Sequence, residues 1–518
     1  MQAVALVLGV LALVPGCAME PDFRSETYSQ SEARRLFADA YGHIQDRYIE
    51  PVAVEPLALA GMRGLLAAQN NPSLRLHEGG RSLAVMAQGA RLAEFARPDA
   101  RDADGWAEVT AGVVQSASAV EPRLRALPAE DIYQTVLNGA VGLLDPFSRY
   151  ATRREAERQR AAREGFDGIG ITIQTKDGVT RVIEVLEGTP AAGGGLAPGD
   201  RITHVDGEPL AGLDTVAVVE RLRGPAGSAV VLDLLRSDGP PRPLRVSVLR
   251  AHVVPVTVHT GLQGDLAVIR IAGFNRNTTR DLERQYRDLP KRRVRGIILD
   301  LRGNPGGLLD QAVETADLFL SGGVVISTFG RHPAASSVFT ADTHLIAAGL
   351  PMVVLANGGS ASSAELLAAA LQDRGRAVIV GTTTHGKGSV QNLTRLPNGG
   401  ELIITWSRLH APSGYILDGL GVLPSICTAE PLAVENLAQV FARLDAYAVR
   451  AARWQRYNHV DAPLAAALRA GCPAGEGNGD ADMTLAKRLL HNPALFERAL
   501  RPSLQSAAMA PMALADAS

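Results

Sequence analysis

Short apolar runs alternate with helix-length segments and Gly-rich turns along residues 253–425. The runs are four to six residues long, a length typical of buried strands. Two segments between them, Leu308–Leu320 and Ala364–Leu371, have the apolar spacing of helices. The alternation predicts an α/β core. The four runs are Leu266–Ile271, Gly296–Leu301, Met352–Ala356 and Ala377–Val380.

Residues 165–250 have a different character, with short β-rich runs separated by Gly and Pro and one helix at Leu213–Leu222. Three motifs occur in order: Gly168-Ile169-Gly170-Ile171, Gly188-Thr189-Pro190-Ala191 and Pro198-Gly199-Asp200-Arg201-Ile202. This ordered set resembles a PDZ domain of the bacterial protease type. The resemblance implies that the loop Gly168–Ile171 binds a C-terminal carboxylate, with the peptide added as a strand beside it. A structural β-module without a ligand is the alternative.

The segments on either side of these two regions are predicted to be helical. Residues 31–68 show helical periodicity broken by Pro51, and Ile132–Leu144 forms a further helix. Between them, residues 67–130 are rich in Arg and Ala with few strand signals, so we expect a mainly helical insertion. Residues 428–518 are Ala-rich, and we expect helices there and a disordered last dozen residues.

The overall composition is that of a globular protein and excludes several functional classes. Hydrophobic residues make up 46% of the 518-residue chain. A formal charge of −2 excludes a nucleic-acid binder that relies on a global basic field, and 4% aromatic residues argue against base stacking. No CxxC, HExxH or similar metal-ligand spacing occurs, so we expect no metal and no cofactor.

The amino-terminal run Ala3–Val14 is too short to span a bilayer and fits the apolar part of a signal peptide. It ends in Val14-Pro15-Gly16-Cys17, which resembles a bacterial lipobox, where Cys17 would be lipidated and would anchor the chain to a membrane. Export without lipidation is the alternative. Two further cysteines, Cys427 and Cys472, would form a disulfide in an exported chain or remain as free thiols.

Ser362 is the candidate nucleophile because it lies where a buried strand meets a helix. The strand Met352–Ala356 is followed by the turn Asn357–Gly359 and then by the helix Ala364–Leu371. The first N–H groups of a helix favour an anion, such as the tetrahedral intermediate of acyl transfer. A second Gly-rich turn, Asn304–Gly307, can lend another N–H donor. A serine at a helix start is otherwise an ordinary N-cap.

A catalytic serine needs a base, and Lys387 is the leading candidate. It is one of only four lysines among 52 basic residues, and the rest are Arg. Arg keeps its proton in proteins, whereas a buried Lys can lose it and accept another. A solvated charge in a turn is the alternative reading of Lys387. The histidines His385, His259 and His410 are in no arrangement that favours a Ser-His-Asp triad.

Four motifs occur in the order found in the carboxyl-terminal processing, or tail-specific, serine peptidases, and the chain resembles that family over residues 31–66 and 131–425. The motifs are Leu144-Asp145-Pro146-Phe147-Ser148, Asp300-Leu301-Arg302-Gly303-Asn304-Pro305-Gly306-Gly307, Ser360-Ala361-Ser362-Ser363-Ala364-Glu365 and Gly386-Lys387-Gly388-Ser389-Val390-Gln391.

The resemblance implies a catalytic core with the ClpP/crotonase type of α/β fold and a role for each motif. Ser362 maps to the nucleophile, with Ser363 as the fallback because two positions of the motif are swapped. Lys387 maps to the general base and Gln391 to the glutamine that orients it. The oxyanion would bind to the N–H of Ser363 and one N–H from Gly306 or Gly307.

The sequence therefore predicts an exported, multidomain α/β serine endopeptidase of the bacterial periplasm or cell envelope. Its partners would be protein or peptide substrates with apolar C-termini, together with a second copy of the chain or an adaptor. A non-catalytic peptide-binding scaffold and an esterase or amidase acting on small substrates are the alternatives. The predicted segments are 1–17 (signal peptide), 31–150 (helical, insertion at 67–130), 163–252 (PDZ-like), 253–426 (catalytic core) and 427–518 (C-terminal extension).

Overall fold

The computed structural model describes residues 27–236, 242–290, 294–342, 344–430, 432 and 435–509. The predicted signal peptide and Cys17 lie outside the described residues, as does most of the last dozen residues. The chain forms two compact units. Among the described residues, the first unit contains residues 27–45, Ala53–Thr152 and Arg395–Leu402, and the second contains Asp46–Val52, Arg153–Thr394 and the residues from Ile403 onward.

The first unit packs helices around large buried side chains, among them Phe37, Tyr41 and Trp106. Helices α2 and α5 approach closely where Gly61 meets Gly139, since a Cβ on Gly61 would lie 2.6 Å from the carbonyl oxygen of Val136. The helices are α1 (Gln30–Arg47), α2 (Val54–Ala68), α3 (Ala103–Val120), α4 (Pro122–Arg125) and α5 (Ala129–Val141), and the strands are β1 (Arg75–Glu78), β2 (Ser82–Ala87), β3 (Ala90–Ala96) and β4 (Arg149–Ala151).

The prediction that residues 67–130 are mainly helical is wrong for the first part of that segment. Strands β1, β2 and β3 form an antiparallel sheet there, and only α3 and α4 are helical. The turn between β2 and β3 places Gln88 and Gly89 at φ values of 52° and 82°, as a two-residue hairpin requires. Strand β1 has a single apolar residue and β3 is largely exposed without regular apolar alternation, so neither has the pattern that signals a half-buried strand.

After the short segment Asp46–Val52, the second unit continues with α6 and the PDZ-like segment. Its sheet has the strand order β11-β10-β8-β7-β6, with β6 at one edge and β9 paired to β8, while β5 pairs with β12. The elements are α6 (Arg153–Glu164), β5 (Phe166–Gly168), β6 (Ile171–Lys176), β7 (Val179–Val185), α7 (Pro190–Gly193), β8 (Arg201–Val205), β9 (Glu208–Pro209), α8 (Thr215–Leu222), β10 (Ala229–Arg236), β11 (Arg242–Leu249) and β12 (Ala251–Val253).

The predicted α/β core follows, and each of the four apolar runs is a strand of one mostly parallel sheet. The strand order is β13-β14-β15-β18-β19-β22, in which only β13 runs antiparallel to its neighbour. A second sheet contains β17-β16-β21-β20. The core elements are β13 (Val258–Gln263), β14 (Leu266–Ile271), α9 (Thr278–Asp288), β15 (Gly296–Asp300), α10 (Leu309–Asp317), β16 (Gly323–Phe329), β17 (Ser337–Ala341), β18 (Met352–Ala356), α11 (Ser363–Asp373), β19 (Val378–Gly381), β20 (Ser389–Arg395), β21 (Glu401–His410) and β22 (Ile426–Cys427).

The C-terminal extension covers one face of this parallel sheet. Val353 and Leu355 of β18 pack in a cluster with residues of the C-terminal helices, whereas Met352 and Val354 point into the cluster that contains α10 and α11. A parallel sheet needs both faces covered, so the extension completes the fold of the α/β core. Its helices are α12 (Leu437–Trp454), α13 (Ala462–Arg469), α14 (Gly479–His491) and α15 (Pro493–Met509).

The described residues contain no helix that is both long enough and apolar enough to cross a bilayer. Within the same residues, no group of three or more His, Cys, Asp or Glu side chains is arranged to hold a metal ion. A disulfide joins Cys427, at the end of β22, to Cys472 in the C-terminal extension, with the two Cα atoms 6.0 Å apart.

Candidate active site

The turn that carries Ser362 is held by hydrogen bonds to the end of the neighbouring strand. The side-chain oxygen of Asn357 accepts from the N–H groups of Gly303 and Gly359 at 2.9 and 3.0 Å. The hydroxyl of Ser360 donates to the carbonyl of Leu301 at 2.9 Å. These bonds join the loops after β15 and β18, because the carboxyl ends of parallel strands meet at one edge of a sheet.

Ser362 has an unusual backbone conformation, with φ 55° and ψ −116° directly before α11. A non-Gly residue at such angles carries strain of about 1–3 kcal/mol, and strain of this kind is often found at functional sites. The side chain is half-buried, whereas Ser360 and Ser363 on either side are buried. The strand-to-helix junction predicted for Ser362 is therefore confirmed.

Ser363, the fallback nucleophile, uses its hydroxyl within the fold. Its Oγ donates to the carbonyl of Gly307 at 2.9 Å, and the residue is 3% exposed. If the Ser363 hydroxyl reacted, the carbonyl of Gly307 would lose this hydrogen-bond donor. The structure thus favours Ser362 over Ser363 as the reactive serine.

Two glycines fix the backbone of Lys387. Gly386 has a φ of 92°, which favours glycine. A Cβ on Gly388 would lie 2.0 Å from the backbone nitrogen of Asp418, so no side chain fits there. The carbonyl of Gly388 also accepts from the N–H of Leu409 at 2.7 Å. Lys387, which is half-buried, therefore stands on a rigid loop directly before β20.

Glu365 connects the nucleophile to this loop. One of its oxygens, Oε2, accepts from the backbone N–H groups of both Ser362 and Lys387, at 2.7 and 2.9 Å. The other oxygen accepts from the N–H of Gly386 at 2.6 Å and from the hydroxyl of Thr384 at 2.5 Å. A single carboxylate thus brings the backbones of the two predicted catalytic residues together.

The Glu365 side chain is fully buried, and burial raises its pKa above the ordinary value, against the lowering effect of its four hydrogen bonds. Glu365 is the site residue for which our sequence reasoning assigned no role. A signal for it exists in the Ser-x-x-Glu spacing of Ser362 and Glu365, which is typical of a capping box at a helix start.

The predicted oxyanion donors come from two loops that lie against each other. A Cβ placed on Gly306 would be 2.9 Å from the Cβ of Ser362, so the turns are in close contact. The N–H of Gly306 donates to the side chain of Asn304 at 2.8 Å. Among the described residues the N–H of Gly307 has no acceptor. The geometry therefore favours Gly307 over Gly306 as the partner of Ser363 in binding an anion.

Gln391 and the histidines take other positions. The side-chain amide of Gln391 donates to the hydroxyl of Ser389 at 2.9 Å. The backbone N–H of His385 donates to the carbonyl of Ser360 at 2.9 Å while its ring is exposed. The ring of His410 packs edge-on against Phe329, and burial lowers its pKa. In the described part of the chain, no histidine forms a hydrogen bond with Ser362.

The predicted peptide-binding loop lies at the open edge of the PDZ-like sheet. Gly170 has a φ of 84°, its carbonyl accepts from the N–H of Leu186 at 3.0 Å, and Ile169 is buried in the core of the segment. Among the strands of the described residues, β6 pairs with β7 only, and its Thr175 N–H donates to the Thr215 hydroxyl of α8 at 3.2 Å. An edge strand beside a helix is the arrangement that accepts an added peptide strand.

Two family profiles match parts of the chain. Residues 265–428 match the profile described as peptidase family S41, and this match contains the turns of Ser362 and Lys387. Residues 181–236 match a PDZ domain profile, which leaves out the loop Gly168–Ile171.

Several characterised proteins are similar to the chain. A carboxy-terminal-processing protease of Bartonella bacilliformis is 36% identical over 308 residues, which cover 58% of this chain and 71% of that protein. The carboxy-terminal processing protease CtpA of Bacillus subtilis is 31% identical over 284 residues, covering 54% and 60% of the two chains. Among solved structures, a photosystem II D1 C-terminal processing protease is 25% identical, with a TM-score of 0.39 over 80% of this chain and 96% of that one.

Proposed function

The chain belongs to the S41 family of carboxy-terminal-processing serine peptidases, and on that premise we propose that it cleaves peptide bonds with Ser362 as nucleophile and Lys387 as general base. The observation that carries the proposal is the shared carboxylate of Glu365, which binds the backbone N–H groups of both residues. A nucleophile and base held this way need little reorganisation before reaction.

The proposed mechanism has two halves. The neutral amine of Lys387 takes the proton of the Ser362 hydroxyl as the oxygen attacks the substrate carbonyl carbon. The resulting oxyanion binds to the N–H group of Ser363 at the start of α11 and to the N–H group of Gly307 in the turn after β15. The C–N bond then breaks, the leaving amine takes the proton from Lys387, and water hydrolyses the acyl-enzyme by the reverse transfers. The family resemblance assigns to Gln391 the role of orienting Lys387, although its side-chain amide donates to Ser389 at the start of β20 in this structure.

The substrates we propose are proteins with apolar C-termini. The loop Gly168–Ile171 and the open edge of β6 would bind the terminal carboxylate and the last residues of the substrate. We also propose that the chain acts in the bacterial periplasm or envelope after export, with Cys17 as a site of lipid attachment. A disulfide such as Cys427–Cys472 is compatible with an oxidising compartment.

The test is cleavage of an unfolded protein with an apolar C-terminus by the wild type and by Ser362→Ala, Ser363→Ala and Lys387→Ala. We expect the Ser362 and Lys387 variants to be inactive and Ser363→Ala to retain cleavage. Equal activity in all four proteins would refute the Ser–Lys pair. Peptide binding without any cleavage would favour the scaffold, and a rate that is independent of peptide length would favour an esterase or amidase.

A further inference from the structure

We propose that residues 469–482, called the C-terminal strap below, position both the turn that carries Ser362 and the loop that carries Lys387. This inference rests on the proposed function, because it assigns the strap to the same reaction. The strap comprises the end of α13, the segment that leads to α14 and the first turn of α14. It lies outside the family profile match, which ends at residue 428.

The strap is bonded to the nucleophile turn through its backbone. The carbonyl of Gly475 accepts from the N–H of Gly358 at 2.7 Å, and the carbonyl of Glu476 accepts from the side-chain amide of Asn357 at 2.9 Å. A Cβ on Gly358 would lie 2.8 Å from the nitrogen of Gly475, so only glycine allows this approach. Asn357 is the residue whose other amide atom holds the turn to Gly303.

The strap is also bonded to the loop before Lys387. The Gly475 carbonyl that binds Gly358 also accepts from the hydroxyl of Thr382 at 2.9 Å, so one carbonyl joins both active-site loops. The hydroxyl of Thr383 donates to the carbonyl of Cys472 at 2.5 Å. The guanidinium of Arg469 donates to the carbonyl of Thr384 at 3.0 Å and would lie 2.9 Å from a Cβ on Gly386, next to Lys387.

Two anchors hold the ends of the strap. The disulfide ties Cys472 to Cys427 at the end of β22. At the other end the buried carboxylate of Asp482 accepts from the hydroxyl of Thr428 at 2.6 Å and lies 3.5 Å from the guanidinium of Arg302, which also donates to the carbonyl of Gly479 at 3.0 Å.

Between Cys472 and Asp482 the strap has almost only exposed side chains, so it buries little apolar surface of its own. Its contribution is a set of hydrogen bonds to two loops whose relative position the reaction depends on. A displacement of about 1 Å in such a site costs up to about a hundredfold in rate. We therefore expect loosening of the strap to lower kcat while leaving KM, which reflects binding of the protein substrate, nearly unchanged.

The experiment compares kcat and KM for the unfolded substrate in Thr383→Val, Thr383→Ser and Thr315→Val. Thr383→Val removes the bond to Cys472, and Thr383→Ser restores the donor. Thr315 is an equally buried threonine whose hydroxyl contacts Thr279 within the α9–α10 region, so Thr315→Val controls for a general loss of stability. We expect kcat to fall at least about tenfold in Thr383→Val only, with KM within about twofold of the wild type.

A second variant, Cys427→Ser with Cys472→Ser, releases the anchor without touching either active-site loop, and we expect the same fall in kcat with an unchanged circular dichroism spectrum. A wild-type or raised kcat in both variants would overturn the inference, and so would an equal loss in Thr315→Val. Absence of Ser362-dependent cleavage in the wild type would instead refute the proposed function, on which the inference depends.

Discussion

The residue type at position 387 indicates a function, because lysine is rare in this chain. In a chain with four Lys among 52 basic residues, a lysine lies between two glycines at the position that we propose for the general base, where Arg could not release and accept a proton. The structure adds the reason for the glycines, since Gly386 needs its positive φ and Gly388 its contact with the backbone of residue 418. The two neighbouring glycines thus fix the backbone position of Lys387, while its amine is the group that could accept a proton.

Lys387→Arg should therefore be as inactive as Lys387→Ala. Arginine keeps the charge but holds its proton, so it cannot act as the base. We expect kcat to fall at least about a thousandfold in both variants, because a Ser nucleophile without its base reacts slowly. Steady-state cleavage assays check this, and measurable turnover by the Arg variant would argue against Lys387 as the base.

Glu365→Gln should lower both activity and stability. The carboxylate accepts four hydrogen bonds, and an amide can accept only at its oxygen while its NH₂ group faces two donors. We expect a fall in kcat of at least about tenfold and a loss of about 2–4 kcal/mol in the free energy of unfolding, since buried donors are left without acceptors. Denaturant unfolding and kinetics of the same preparation measure the two effects.

Asp373→Asn is the matched control for that variant. Asp373 is a second buried carboxylate of the same helix and accepts from the N–H and hydroxyl of Ser413. We expect it to leave kcat within about twofold of the wild type, because the hydrogen bonds of Asp373 in the described part of the chain go to Ser413 and to neither active-site loop. A similar loss of kcat in both variants would show that the integrity of the helix, and not the link between Ser362 and Lys387, limits the rate.

Helix α11 is unusual as an element because all of its residues are buried, including the carboxylates near its two ends. Ala and Leu allow this, since most of its side chains pack against neighbouring elements in the core. Because the helix is packed on all sides, it holds the backbone of Ser362 at its N-terminus in one conformation. The strained φ of that residue can therefore persist. Asp373 at the end of this helix also makes the free energy of unfolding depend on pH.

Burial raises the pKa of Asp373 to about 6, from 3.8. The folded state therefore binds this proton more tightly than the unfolded state does. The stabilising contribution of the group is fully present below about pH 4 and is lost as the pH rises to about 6. We expect wild-type unfolding free energy to fall, relative to Asp373→Asn, by on the order of 2–3 kcal/mol over that range. A pH-independent difference between the two proteins would contradict this.

At the scale of the whole molecule, the C-terminal extension is continuous with the peptidase core. It covers the second face of the parallel sheet with α12, α14 and α15, and it is tied to β22 by a disulfide across 45 residues. The PDZ-like segment belongs to the same compact unit. The PDZ-like segment, the proposed active site and the strap therefore belong to one compact unit.

Removal of the disulfide should lower the stability of this unit. In the chain-entropy description, opening a loop of 45 residues costs about 4 kcal/mol, because the unfolded chain regains freedom. We expect Cys427→Ser with Cys472→Ser to unfold at a lower denaturant concentration than the wild type. An unchanged midpoint would mean that the folded packing alone holds the extension in place.

The sequence by itself determined the elements of the α/β core and the order of the catalytic motifs. The strand, Gly-rich turn and helix around Ser362 can be predicted from the spacing of apolar residues and glycines, because that spacing depends only on residues a few positions apart. The hairpins within residues 67–130 escaped this reasoning, because β1 and β3 are largely exposed and the buried apolar run of β2 is too short to be distinguished from a helical segment by periodicity.

Only the tertiary structure decided which distant atoms share a partner. Glu365 reaches the loop of Lys387, about 20 residues further along the chain, and the Gly475 carbonyl reaches both active-site loops from more than 90 residues beyond Thr382. Such contacts form where distant segments of the chain come close in space. The packing of the whole sheet and its covering helices determines these positions. The spacing of nearby residues does not indicate which distant segments come into contact. The residues that position the proposed site are therefore identified only from the tertiary structure.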